Sequence, residues 1–301
     1  MPQIQANGLT LHYDTFGDPA HPPMLLIMGL GAQMILWPPA LCERLAAAGY
    51  YVVRFDNRDI GLSEKLDRLG KPDLLRAGLR HTFGLSLKAP YALEDMAQDT
   101  VGLMDALGFQ TAHVVGLSMG GMIAQWMAIQ HPERLRSLTL VMTHSGNRRL
   151  PGPTWALRHR LIRRPKRFDR ETLVRHAMGT WQLIGSPAWP PEEVELRQLM
   201  EAAFDRSHHP RGIARQTLAI LAAPNRVPLL RKIRTPTLVI HGTSDPLVPV
   251  AGGKELARHI PGARLELIEG MGHDLPKALL PRFADLIAGH ASAQRESTRA
   301  A

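Results

Sequence analysis

With 301 residues, 45% apolar and 21% charged, the chain can bury one large core and has ordinary globular composition. The formal charge of +9 suits acidic substrates or anionic surfaces, but no zinc-finger spacing, helix-turn-helix pattern or aromatic interleaving accompanies it, so no nucleic-acid partner is expected. The lone cysteine, Cys42, excludes an intrachain disulfide; with no signal-like start and no apolar run long enough to span a membrane, a cytoplasmic protein without a membrane span is expected.

Two short amphipathic strands are expected near Ile4–Ala6 and Leu9–Thr15. The unbroken apolar run Pro23–Met28 reads as a strand buried on both faces. It ends at Gly29. Leu41–Ala48 reads as a helix closed by Gly49, with Cys42 as a small core residue. The strand Tyr50–Asp56 leads into the polar turn Asp56-Asn57-Arg58-Asp59-Ile60-Gly61-Leu62-Ser63, whose two aspartates read as structural. Leu93–Leu107 has apolar residues at helical spacing.

Val114-Val115 then enters Gly116-Leu117-Ser118-Met119-Gly120, and a helical pattern leaves through Met122, Ile123, Trp126 and Met127. This strand, sharp turn and helix form the context in which G-x-S-x-G acts as a nucleophile elbow. The turn should strain Ser118 and lift its hydroxyl clear of the sheet. Gly116 and Gly120 are needed where strand and helix pass too close for larger side chains. Leu135–Met142 is a further strand.

Residues 146–232 are rich in Arg, Pro and Trp, with helical periodicity. They read as a helical lobe inserted between strands. Their basic run, Arg158 to Arg167 and on to Arg170, reads as a solvated helix face. Strands return at Pro236–Ile240 and Arg264–Ile268, with helices near Gly252–His259 and Lys277–Ala288. Residues 291–301 are small and polar and are expected to fray. Alternating strands and helices define an α/β protein with a mostly parallel sheet.

A serine hydroxyl needs a base, usually His, and a carboxylate to orient it. In open α/β sheets reactive groups lie beyond the carboxyl ends of the strands. His273 follows the strand Arg264–Ile268, in a glycine-rich loop. Asp245 follows the strand ending at Ile240. The order Ser118, Asp245, His273 fits the α/β-hydrolase arrangement. Neighbouring candidates read differently: Asp274 as a helix N-cap, and His241 as locally packed or hydrogen-bonded. His144 has no acid beside it. Oxyanion donors are expected from the amides of Met119, at a helix N-terminus, and of Leu30, between Gly29 and Gly31.

On these residues the chain resembles the α/β-hydrolase superfamily along nearly its whole length. Gly116–Gly121 is similar to the nucleophile elbow, His241–Asp245 to the acid turn, and Gly272-His273 to the histidine loop. The Asp56–Ser63 turn is similar to that of serine esterase-like members, aclacinomycin methylesterases among them. Met28-Gly29 stands where many members have His-Gly, and Glu64–Ala89 is longer than expected. The resemblance implies an eight-stranded, mostly parallel sheet flanked by helices. It also implies a core of 1–145 and 233–290, a helical cap at 146–232 and a flexible tail from 291.

It further implies hydrolysis of a small-molecule ester through an acyl-enzyme, without metal or organic cofactor. Trp155 and Trp181 are candidate pocket walls. Lactone, amide, carbon–carbon or peroxide chemistry uses the same machinery and stays open. A non-catalytic receptor would normally have lost the base or the acid. A haloalkane-dehalogenase-like enzyme would need a carboxylate at position 118.

Overall fold

The strands alternate their apolar faces, and that alternation builds two cores. In the computed structural model, which describes residues 2–299 except 163, 164 and 166, the eight strands are β1 (Gln3–Ala6), β2 (Leu9–Phe16), β3 (Pro23–Ile27), β4 (Tyr51–Phe55), β5 (Ala112–Leu117), β6 (Leu135–Val141), β7 (Thr237–Gly242) and β8 (Arg264–Ile268). They form one sheet in the order β1-β2-β4-β3-β5-β6-β7-β8. The β1–β2 and β2–β4 pairs are antiparallel; the rest are parallel.

The helices are α1 (Pro39–Ala47), α2 (Leu74–Thr82), α3 (Leu93–Ala106), α4 (Met119–Gln130), α5 (Trp155–Ile162), α6 (Arg170–Ile184), α7 (Glu193–Arg206), α8 (Pro210–Ala222), α9 (Val227–Leu230), α10 (Ala251–His259) and α11 (Leu280–Arg299). Leu25, Ile27, Val114 and Val239 pack with α3, α4 and α10. Met24, Leu26, Val115, Leu238 and Ile240 pack with α1 and α11. Burying one such side chain is worth about 1.5–3 kcal/mol, so both faces of the central strands are held. Cys42 lies in the second layer, where burial pushes its thiol up to about 12; it is an inert core group.

Helices α5–α9 all fall between β6 and β7. Val174 and Met178 of α6 meet Leu196 and Met200 of α7 in a small core of their own. The end of this segment behaves differently: Ala219 of α8 and Leu230 of α9 belong to the main core.

Three elements differ from the sequence expectation. Helix α1 begins two residues early, because Pro39 is preset for the first helical turn. Helix α2 occupies the long 64–89 stretch, with Asp73 as its N-cap. Helix α11 runs on through 291–299, the stretch expected to fray; the alanines there favour helix.

Candidate active site

Ser118 sits between β5 and α4 with φ 55° and ψ −118°. A non-glycine residue there stores roughly 1–3 kcal/mol of strain. The surrounding bonds hold it: its N–H donates to Val141 O at 2.9 Å, and Thr143 Oγ1 donates to its carbonyl at 2.7 Å. The glycines are required by contact. A Cβ on Gly116 would stand 2.3 Å from Gly120 O, and one on Gly120 would stand 2.0 Å from Ile27 O. Strand β3, the elbow and α4 therefore meet backbone to backbone.

The loop after β3 lies directly against the serine, since a Cβ on Gly29 would be 3.2 Å from Ser118 Cβ. It is held on both sides. Asn57 Nδ2 donates to Met28 O at 2.9 Å, and Gly31 N donates to Gln216 Oε1 at 2.9 Å. Leu30 is thus fixed between anchored neighbours, with its side chain 39% exposed. Met119 opens α4 immediately after Ser118 and is fully buried.

Asp245 and His273 are both buried, and His273 Nδ1 donates to Asp245 Oδ2 at 2.7 Å. The other carboxylate oxygen, Oδ1, accepts from the N–H groups of Leu247 (2.9 Å) and Val248 (2.8 Å). Each oxygen therefore has its own task. Three further bonds join the two loops: Thr243 N to Ile268 O at 3.0 Å, Ser244 N to Met271 O at 3.0 Å, and Gly270 N to Thr243 Oγ1 at 3.0 Å. The inserted helices also reach the histidine loop. His273 N donates to Ile184 O, at the end of α6, at 2.7 Å, and Gly272 N donates to Ser186 Oγ at 2.8 Å.

Asp274 is not a helix cap. Pro276 holds that position for the Lys277–Leu279 turn, and Asp274 Oδ1 accepts from Ser186 Oγ at 2.5 Å. Burial pushes its carboxyl above the usual carboxylate range. His241 Nε2 donates to Val248 O at 2.7 Å, a local bond as expected. Burial lowers the His144 imidazole to about 4, helped by the nearby Arg226 cation.

Asp56 and Asp59 turn out to anchor the inserted helices. Asp56 accepts from Met34 N and Leu62 N and pairs with Arg206 of α7 at 2.7 Å. Asp59 takes a two-pronged bond from Arg215 of α8, at 2.8 and 2.7 Å. Both partners of that second pair are fully buried. Burial alone would raise the Asp59 carboxyl, but Arg215 and the Leu66 amide outweigh it and hold the carboxyl low.

Trp155, a candidate pocket wall, is 86% exposed and lines neither the hollow beside the acid turn nor the one against α2. Trp181 packs on the small α6–α7 core. The described arginines of the basic run have partners: Arg158 bonds to Pro153 O and Arg160 to His176 O, while Arg167 pairs with Asp169 and Arg170 with Asp205. Arg163, Arg164 and Lys166 lie outside the described residues. A hollow of about 390 Å³ adjoins the acid turn between Gly185–Ser186 and Ser244. A larger one, about 620 Å³, lies elsewhere, against α2, and none of Ser118, Asp245 or His273 lines it. Sequence reasoning missed Thr143, Ser186, Asn57 and Gln216. Each acts through a contact distant along the chain, and no local spacing marks it.

A serine on a strained elbow, against a glycine loop and with a paired His and Asp beyond neighbouring strands, is equipped for hydrolysis. A family model described as alpha/beta hydrolase fold matches residues 22–276, and the chain belongs to that family. It is 33% identical to rhodomycin D methylesterase from Streptomyces sp. (strain C5), over 96% of this chain and 97% of that protein. Identity to the rhodomycin D methylesterase of Streptomyces peucetius is 32%, over the same shares. Among solved structures, the meta-cleavage product hydrolase of Pseudomonas fluorescens IP01 shares the fold with a TM-score of 0.74 at 20% identity, covering 97% of this chain and 98% of that one. No described helix is long and apolar enough to cross a membrane.

Proposed function

We propose that this hydrolase is a serine carboxylic ester hydrolase, with Ser118 as nucleophile, His273 as base and then acid, and Asp245 as the group that orients the imidazole. The bond from His273 Nδ1 to Asp245 Oδ2 carries the reading. It commits the ring proton to Nδ1 and leaves Nε2 as the acceptor. Nε2 takes the Ser118 proton as Oγ attacks the ester carbonyl. Charge then develops on the carbonyl oxygen, and the amides of Met119 and Leu30 stabilise it; losing one such donor costs about 2.7–4 kcal/mol. Collapse expels the alcohol, protonated from Nε2. Water repeats the sequence on the acyl-enzyme and releases the acid.

Identity to two rhodomycin D methylesterases supports a methyl ester as substrate, with methanol as the alcohol released. Residues 146–232 act as a cap on a core of 1–145 and 233–290. The single buried thiol suits a cytoplasmic setting.

The test has two arms. A fluorescent phosphonate should label Ser118, identified by peptide mass, and Ser118→Ala should take no label. Methanol release from rhodomycin D and from simple aryl methyl esters then measures turnover. Absent labelling of the folded protein would overturn the nucleophile assignment. Labelling without turnover of any ester would overturn the ester assignment.

A further inference from the structure

The Glu64–Ala89 stretch contains a helix that the hydrolytic reading does not use. Helix α2 packs one side on the molecule: Ala77 is buried, and His81 Nδ1 bonds to Leu221 O at 3.1 Å. Its opposite side is apolar and open. Leu75, Leu79 and Phe83 recur every fourth residue and are 77%, 57% and 75% exposed. Residues at that spacing share one helix face, and a helix of a globular protein normally turns polar residues there.

Beside this stripe lies the hollow of about 620 Å³, rimmed by Lys71, Arg76, Arg80 and Lys88 over the apolar side chains of Leu69, Leu87 and Leu218. Asp73, the acid among these lining residues, accepts from Arg76 N at 3.0 Å and is engaged as the helix cap. Arg80 is steadied by its bonds to Ser86 O. Exposed leucines and a phenylalanine thus adjoin four cations.

From this we infer that α2 and its basic hollow dock the protein on an anionic phospholipid surface. A bilayer presents the two required layers in order. The apolar stripe would enter the acyl boundary while the cations sit at the depth of the phosphates. The attraction should scale with the number of basic residues near the surface. A second copy of this chain fits less well, because it would bring the same cations and a further formal charge of +9 against them.

Flotation of the full chain with vesicles tests this. Vesicles would be equal parts phosphatidylglycerol and phosphatidylcholine, or phosphatidylcholine alone, at low and high salt. The protein should float with the anionic vesicles only, and less at high salt. The double variants Leu75→Ser/Leu79→Ser and Arg76→Glu/Arg80→Glu should each weaken binding by about tenfold or more, with unchanged thermal melts showing that they fold. The inference fails if the protein ignores both vesicles, binds both equally, or binds as well in either variant. It also fails if free glycerol phosphate blocks binding at millimolar levels, which would indicate a soluble anion. A dimer in light scattering that the leucine variant dissociates would instead assign the face to a second copy.

Discussion

The two oxygens of Asp245 cannot exchange tasks, and this makes Asp245→Asn an informative variant. The amides of Leu247 and Val248 demand an acceptor, so the asparagine oxygen should face them. Its NH₂ then faces His273 Nδ1, which must become the acceptor and send the ring proton to Nε2. That proton points the wrong way for taking one from serine. On the proposed mechanism, steady-state kinetics should show kcat falling by about 10⁴-fold, the loss this change causes in an established Ser-His-Asp enzyme. Thr143→Val tests the elbow's support. It removes the bond to the Ser118 carbonyl and should cost about 1 kcal/mol of stability, read by urea unfolding. Ser118, Asp245 and His273 were all legible because they sit where strands end. Thr143 and Ser186 were not, because a hydroxyl that bonds to a distant loop leaves no periodic trace.

Helices α7 and α8 are tied to the turn after β4 through Arg206 and the fully buried Arg215. Asp59→Asn leaves Arg215 with only the half-exposed Asp67, at 3.2 Å, as counter-charge, so the loss should approach the roughly 3–5 kcal/mol typical of breaking a buried pair. Chemical denaturation should show this loss, and a smaller one for Asp59→Leu/Arg215→Met, where both charges go together. The pH sign follows from the lowered Asp59 carboxyl. Its contribution is present above the ordinary carboxylate range and is lost as pH falls through its lower folded value, so the wild-type advantage over Asp59→Asn should shrink in strong acid. The sequence marked Asp56 and Asp59 as structural but did not reveal their partners, which lie some 150 residues away for Arg206 and 156 for Arg215. Helix α2 escaped notice for another reason: it is only nine residues long and Gly78 interrupts it, and a glycine weakens the helical signal of so short a stretch.

The sheet was largely readable at the scale of the whole molecule, because Met24–Ile27 and Leu238–Ile240 feed alternate side chains to two cores. Its strand order, with β4 between β2 and β3, depends on contacts between distant segments. Interior histidines set the acid response. Burial lowers both His144, to about 4, and His241. The unfolded chain binds these protons at the ordinary value near 6.5, so it gains protons before the folded chain does. The contribution of these two histidines to stability should therefore decline as pH drops from about 6.5 towards 4, while the raised Asp274 carboxyl works the other way. Melting temperatures across that range should show the slope, and His144→Asn should flatten it.

The bond from the His273 amide to the Ile184 carbonyl has a mechanical consequence. Substrate admission that lifts the end of α6 would slacken the tether on the imidazole. On the proposed mechanism, displacing that end of α6 would then make the enzyme a poorer proton shuttle. The position of the base and the seating of the inserted helices would share one latch.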